Sequence, residues 1–200
     1  MPINEIMQLN TSEDEDKKIL LMLAIHCSPI LKGSKAANIM TVTMKEYERI
    51  GYLLRDTDIS FRFIKAKGDT GILYLYRRDL LTEYLFSEEI QSFLTDFGYH
   101  CLCLNAMLDC LSDRIVMYND GELSFPHEIG VFLEYPLQDV KGFLKNNGKN
   151  FIYSGYWKVY GNVNETIGKF RQYDKERNDT IRDIAAGKSI RDIVMEANLR

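Results

Sequence analysis

Residues 124–161 constrain the fold most, because prolines and glycines divide this segment into short elements. Pro126 and Pro136 each suit the first turn of a helix, where the missing N–H of proline costs no hydrogen bond. An apolar stripe at spacings of three and four residues follows each proline. The Asn-Asn-Gly run at 146–148 is typical of a helix end, since these residues tolerate a left-handed backbone. We therefore predict two short helices here.

Residues 151–160 alternate in the way of a β-strand, but they carry large apolar groups on both faces. Such a strand is either covered on both sides or keeps one face for a ligand. Gly155 leaves a gap between the rings, where a bulge or a close approach of the backbone fits. One face carries Phe151, Tyr153, Trp157 and Val159, and the other carries Ile152, Tyr156 and Tyr160.

The blocks FPHEIGVFLEYPLQDVKGF and YSGYWKVYG, together with the earlier block HCSPILKGSKAANIM, carry a family resemblance. They resemble an uncharacterised clostridial family that is known only as a domain of unknown function. The early block departs from the family pattern at Ala36, where the family has a proline after the lysine. The resemblance covers about residues 17–175 and implies a cytosolic protein of an anaerobic bacterium. It implies no reaction.

The charge of the chain argues against a nucleic-acid binder. The net charge of the 200 residues is −4, and residues 1–16 alone contribute −5, so the remainder sums to +1. No basic field is available for a phosphate backbone. The N-terminus is acidic where a signal peptide is basic, and no apolar run approaches the roughly 18 residues of a membrane helix. We predict a cytoplasmic protein whose four cysteines form no disulfides.

The rest of the chain predicts an α+β fold. The uncharged run at 19–27 indicates a buried central helix that ends at Pro29 and Gly33. Two strands around residues 67–70 form the clearest hairpin. We predict a small sheet that contains this antiparallel hairpin and packs with several helices. The predicted division is a flexible acidic N-terminus at 1–16, a single α+β domain at 17–175 and a helical C-terminal extension at 176–200.

His127 and Glu128 form the preferred candidate site, because they occupy the first turn of a predicted helix. Free N–H groups and the helix dipole favour an anion there, and His127 can serve as acid, base or ligand contact beside Glu128. Alternatively, Glu128 only complements the dipole and His127 packs. Tyr156 and Trp157 can stack a planar ligand, although aromatic strands more often form core.

The turn that follows the central helix supplies further candidates. Cys27 is a candidate catalytic nucleophile, because two nearby lysines would lower its thiol pKa, but its place on the apolar stripe favours a core cysteine. Arg77 can clamp a carboxylate or phosphate, or it can simply end the hairpin strand in salt bridges. The candidate ligand-binding residues are His26, Lys35, Arg77, His127, Tyr156 and Trp157.

Thiols and an imidazole are concentrated between residues 100 and 110. His100, Cys101, Cys103 and Cys110 suit zinc or iron by composition. The paired CxxC spacing of strong structural sites does not occur, so small core residues are the alternative interpretation.

These observations leave three functional hypotheses and no identified cofactor. The first is a small-ligand-binding or regulatory protein whose anionic or planar ligand contacts the helix start at His127, the Trp157 strand and the 26–35 turn. The second is a metal or thiol redox protein that uses the cysteines, and the third is a small enzyme with His127 and Glu128 as acid and base. The C-terminal helices can also contact a protein partner or a second copy. P-loop, GxGxxG, HExxH and GxSxG motifs do not occur.

Overall fold

The fold combines a small antiparallel sheet, a separate hairpin and many helices, which confirms the predicted α+β class. The computed structural model describes residues 1–100 and 103–199, without the side chains of residues 65–67. The helices are α1 (Ile3–Asn10), α2 (Glu15–Leu31), α3 (Met44–Leu53), α4 (Arg78–Leu85), α5 (Glu88–Thr95), α6 (Leu104–Asn119), α7 (Ile129–Phe132), α8 (Leu137–Lys145), α9 (Val163–Ala185) and α10 (Ile190–Asn198). The strands are β1 (Ala37–Thr43), β2 (Ile59–Lys67), β3 (Thr70–Arg77), β4 (Tyr153–Ser154) and β5 (Lys158–Val159).

The three-stranded sheet has the order β1–β3–β2, and both strand pairs are antiparallel. The hairpin of β2 and β3 is the one that the sequence predicts. Successive side chains of β3 point to opposite faces of the sheet, and each face is covered by its own hydrophobic core. Leu73 and Leu75 lie in one core, and Tyr74 and Tyr76 lie in the other. The central strand is therefore buried on both faces.

Two helical layers cover the sheet. Helices α4 to α8 pack on the face that carries Tyr74, and its hydroxyl donates a hydrogen bond to the carbonyl of Phe132 at 2.6 Å. Helices α1, α2, α3, α9 and α10 cover the opposite face, where α2 packs along α9 and against β1. Helices α7 and α8, which border the candidate site, belong to the first of these layers.

Helix α2 is longer than the sequence predicts. It begins after Asp14, whose carboxylate caps it by accepting the N–H of Asp16 at 2.9 Å. Pro29 does not end the helix but lies in its last turn, where the missing N–H removes only one hydrogen bond. The chain leaves the helix at Gly33, whose φ of +77° suits glycine. None of the described helices, α2 included, is long and apolar enough to cross a membrane.

Residues 151–160 form a hairpin, and the prediction of a single strand is wrong. Tyr153 pairs with Val159, and the N–H of Gly155 donates to the carbonyl of Trp157 at 3.1 Å across the turn. A Cβ atom at Gly155 would lie 2.3 Å from Cε2 of Phe170. The chain can reverse directly over that ring only because glycine permits the close approach.

Helices form at both ends of the chain, and the predicted division into three parts stays a prediction. Helix α1 forms within the acidic N-terminus and buries Leu9 in the core beneath α2. Helix α9 runs without a break across residues 175 and 176. Helix α10 buries Ile190, Ile193 and Val194 in the same core. The C-terminal helices thus help to form the core on the face of the sheet that α2 covers.

Candidate functional site

A largely apolar cavity of about 280 Å³ lies among α7, α8 and the β4–β5 hairpin. Five of its lining side chains are planar rings, so its walls present flat faces more than hydrogen-bonding groups. This volume is close to the lower end of the usual range for ligand sites, roughly 300 Å³, and it suits a ligand of one or two rings. The lining residues are Phe125, His127, Ile129, Gly130, Tyr135, Asp139, Val140, Phe143, Trp157 and Lys158.

His127 lies at the exposed rim of this cavity, just before α7. Its imidazole packs between two phenyl rings, with centroid distances of 5.1 Å to Phe125 and 4.8 Å to Phe143. Pro126, which is buried, anchors the backbone beside it. The imidazole is therefore oriented by ring contacts and stays accessible from outside.

Trp157 forms the opposite part of the wall and is held by a buried carboxylate. Its indole Nε1–H donates to Oδ2 of Asp139 at 2.8 Å, and its ring stacks on Tyr135 with centroids 4.8 Å apart. The other oxygen of Asp139 accepts the N–H groups of Tyr160 at 2.7 Å and Gly161 at 3.1 Å. Asp139 thereby fixes α8, the indole and the end of the hairpin in one arrangement.

Two of the three sequence blocks that carry the family resemblance, the early block and the block that begins at Phe125, meet at Glu134. This residue has a left-handed backbone with φ of +57°, and its Oε2 accepts the N–H of Ala36 at 2.6 Å. The contact brings the neighbouring Lys35 to Tyr135, with 5.3 Å between Nζ and the ring centroid. Tyr135 thus contacts both Lys35 and Trp157, although Lys35 itself does not line the cavity.

Lys35 is a buried ammonium group, with only 5% of its surface exposed. Its Nζ donates to Oδ1 of Asn38 at 3.0 Å and lies 6.0 Å from the ring centroid of Tyr173. Burial lowers the pKa of Lys35 to about 8, against the opposing effect of the Glu134 carboxylate. The sequence predicts Lys35 as a ligand contact, whereas the structure encloses it behind the cavity wall.

Cys27 and His26 face different environments. The thiol of Cys27 is fully buried, 3.6 Å from Sδ of Met40, and burial raises its pKa to about 12. A thiol with that pKa stays protonated at neutral pH and is a poor nucleophile. The side chain of His26 is exposed, and its backbone carbonyl accepts a hydrogen bond from Nδ2 of Asn38. Neither residue lines the cavity.

Glu128 points away from His127 and into the core. Only 1% of its surface is exposed, and its Oε1 accepts bonds from Nε of Arg114 at 2.5 Å and from the hydroxyl of Tyr99 at 3.2 Å. Burial, followed by the nearby Glu128 charge, raises the pKa of Tyr99. The structure therefore does not bring His127 and Glu128 together as an acid–base pair.

Arg77 and Tyr156 also lie outside the cavity. The buried guanidinium of Arg77 donates to the carbonyl of Ile30 at 2.9 Å and to Oδ1 of Asn198 at 2.9 Å, and it pairs with Asp58. It fastens the end of α2 to the end of α10. The hydroxyl of Tyr156 donates to Oδ1 of Asp174, on α9, at 3.0 Å.

The metal hypothesis rests on four side chains near the start of α6, and the structure describes three of them. Cys101 lies outside the described residues. Cys103 is exposed, His100 is exposed, and Cys110 is half-buried on α6. Within residues 1–100 and 103–199, no group of three or more His, Cys, Asp or Glu side chains is arranged to hold a metal ion. A site that includes Cys101 stays a prediction.

Comparison with known proteins assigns the chain to a family. The family described as a protein of unknown function, DUF3793, matches residues 23–194. The chain belongs to this family. No curated protein and no solved structure matches it.

The DUF3793 match includes every element that builds the cavity. It covers the turn at Lys35 and the whole segment from Phe125 to Lys158. It also continues into α10, beyond residue 175, where the sequence resemblance ends. This agrees with the packing of α9 and α10 into the same core as α2 in this DUF3793 protein.

Several cavity residues carry no signal that sequence reasoning could use. In the sequence, Asp139 is only an acidic residue that suits the first turn of α8. Its three hydrogen-bond partners lie 18 to 22 positions later, so local spacing does not reveal them. Tyr135 reads only as the residue before a proline. Phe125, Phe143 and Lys158 belong to separate elements, and only the fold of the hairpin over α8 brings them together.

Proposed function

We propose that this DUF3793 protein binds a small planar ligand of one or two rings in the cavity lined by His127, Phe143 and Trp157. The observation that carries the proposal is the concentration of five rings around a cavity of about 280 Å³. Flat apolar walls favour a flat apolar ligand, because stacked and edge-to-face ring contacts add to the free energy of burial.

The fixed geometry of the wall supports a binding role. Trp157 is only 7% exposed, and it is held both by Asp139 and by the stack with Tyr135. Side chains that are already ordered lose little conformational entropy when a ligand binds, and this raises affinity. A cavity organised in this way is suited to selecting ligands by shape.

The position of Glu128 favours binding over acid–base catalysis. Its carboxylate accepts hydrogen bonds from Arg114 and Tyr99 in the core. Glu128 is therefore not placed to exchange a proton with His127. A binding or regulatory role needs no such pair. The cytosolic location and the anaerobic bacterial source stay predictions from the sequence.

The single tryptophan provides a direct test of this proposal. In ¹⁵N-labelled protein, the indole N–H gives one resonance, which we expect to shift on titration with the neutral bicyclic compound 2-naphthamide. Val140→Phe places a ring in the cavity and is expected to weaken binding at least about tenfold, which corresponds to about 1.4 kcal/mol.

Val116→Phe is the matched control, because Val116 is exposed on α6 and away from the cavity. It is expected to leave the affinity for 2-naphthamide unchanged. Equal binding by the wild type and Val140→Phe would contradict a ligand site in this cavity. Circular dichroism of both variants verifies that they are folded.

A further inference from the structure

Lys158 places an ordered ammonium group at the cavity. Strand β5 carries this residue, and its Nζ donates to the carbonyl of Gly148 at 2.7 Å. The same atom lies 5.0 Å from the ring centroid of Phe151 and 5.6 Å from that of Phe143. Three contacts therefore hold the charge in place, whereas an ordinary surface lysine moves freely.

This ammonium has no carboxylate partner within 4 Å among the residues that the structure describes. Asp139, which is the carboxylate in the cavity lining, already accepts from Trp157, Tyr160 and Gly161. An ammonium group has three donors, and Gly148 takes one of them. Lys158 therefore places beside the cavity a positive charge that no carboxylate of the described residues pairs with, and an anionic ligand would complement it.

We infer that the planar ligand carries a carboxylate and that Lys158 recognises it; this inference rests on the proposed binding of a planar ligand. The ring of an aromatic carboxylate would occupy the apolar part of the cavity while its carboxylate accepts charge-assisted hydrogen bonds from Nζ. His127 contacts the same phenyl ring as Lys158, with its centroid 4.8 Å from that of Phe143, and it also lines the cavity. The ligand class is a one- or two-ring aromatic monocarboxylate.

Two ligands of nearly equal shape test this inference on the wild-type protein. The anion 2-naphthoate and the neutral 2-naphthamide differ in charge at the same position. We expect 2-naphthoate to bind about tenfold or more tightly than 2-naphthamide, measured by the shift of the Trp157 indole resonance and by calorimetry. This comparison needs no substitution and hence no assumption about folding.

Lys158→Met keeps an unbranched side chain, one atom shorter than that of lysine, and removes its charge. It is expected to weaken the binding of 2-naphthoate at least about tenfold. The affinity for 2-naphthamide should stay within about threefold of the wild-type value. Lys149→Met, at a nearby exposed lysine, should change neither affinity. Lys158→Gln, which retains a hydrogen-bond donor without the charge, should resemble Lys158→Met.

The possible outcomes distinguish carboxylate recognition by Lys158 from the binding of a planar ligand in the cavity. If 2-naphthamide binds as tightly as 2-naphthoate, or if Lys158→Met weakens both ligands equally, the carboxylate inference is overturned while the planar-ligand site stands. If neither compound moves the Trp157 resonance, the proposed function itself fails, and the inference fails with it.

Discussion

Asp139→Ala is expected to lower the free energy of unfolding by about 3 to 5 kcal/mol. The carboxylate is only 2% exposed and accepts hydrogen bonds from three donors, on Trp157, Tyr160 and Gly161. Alanine would leave these donors buried without an acceptor, and each then bears its own desolvation cost. Urea denaturation followed by far-ultraviolet circular dichroism measures the loss.

Asp113→Ala is the matched control for Asp139→Ala. Asp113 lies on the exposed side of α6, so its removal should change stability by no more than about 0.5 kcal/mol. The indole resonance of Trp157 should also broaden or move in Asp139→Ala and stay in place in Asp113→Ala. Equal stability of the two variants would show that Asp139 does not organise the cavity wall.

Lys35 is expected to make stability rise with pH in the alkaline range. Its pKa is lowered to about 8 in the folded protein from an ordinary value of 10.5, because the ammonium is buried. Between these two values the unfolded chain binds more protons than the folded chain, so the free energy of unfolding increases with pH. The penalty for the buried charge is fully present below about pH 8 and disappears above about pH 10.5.

Comparison with Lys35→Met isolates this contribution from the tyrosines, which titrate in the same range. Relative to the variant, the wild type should gain about 2 kcal/mol between about pH 7 and pH 9.5, measured by urea denaturation at each pH. Lys17→Met, at an exposed lysine, should show a difference from wild type that does not depend on pH. A flat difference for Lys35→Met would mean that the amine is not buried in solution.

Elements with a strong local pattern were predictable from the sequence. The hairpin of β2 and β3 follows from alternation around a turn, and α8 follows from Pro136 and its apolar stripe. The β4–β5 hairpin was not predictable, because its reversal depends on Phe170 lying beneath Gly155. The prediction that Pro29 ends the central helix was wrong for a similar reason. Packing in the surrounding core stabilises the last turn of α2 despite the missing N–H.

The same distinction applies to the candidate site. His127 and Trp157 are conspicuous in the sequence, and the structure brings both to one cavity. Arg77 and Tyr156 are equally conspicuous, but Arg77 donates to carbonyl groups of α2, and Tyr156 packs against α9. Side-chain direction depends on tertiary packing, so residue type and spacing alone could not separate these two pairs.

The most direct test of the proposed site is the position of a bound ring. Nuclear Overhauser effects between the ring protons of 2-naphthamide and ¹³C-labelled protein would locate it. Binding in the cavity predicts contacts to the methyl groups of Val140 and to the rings of Phe125 and Phe143. Contacts instead to the exposed side chains of Ile152 and Tyr156, which do not line the cavity, would contradict a site in the cavity.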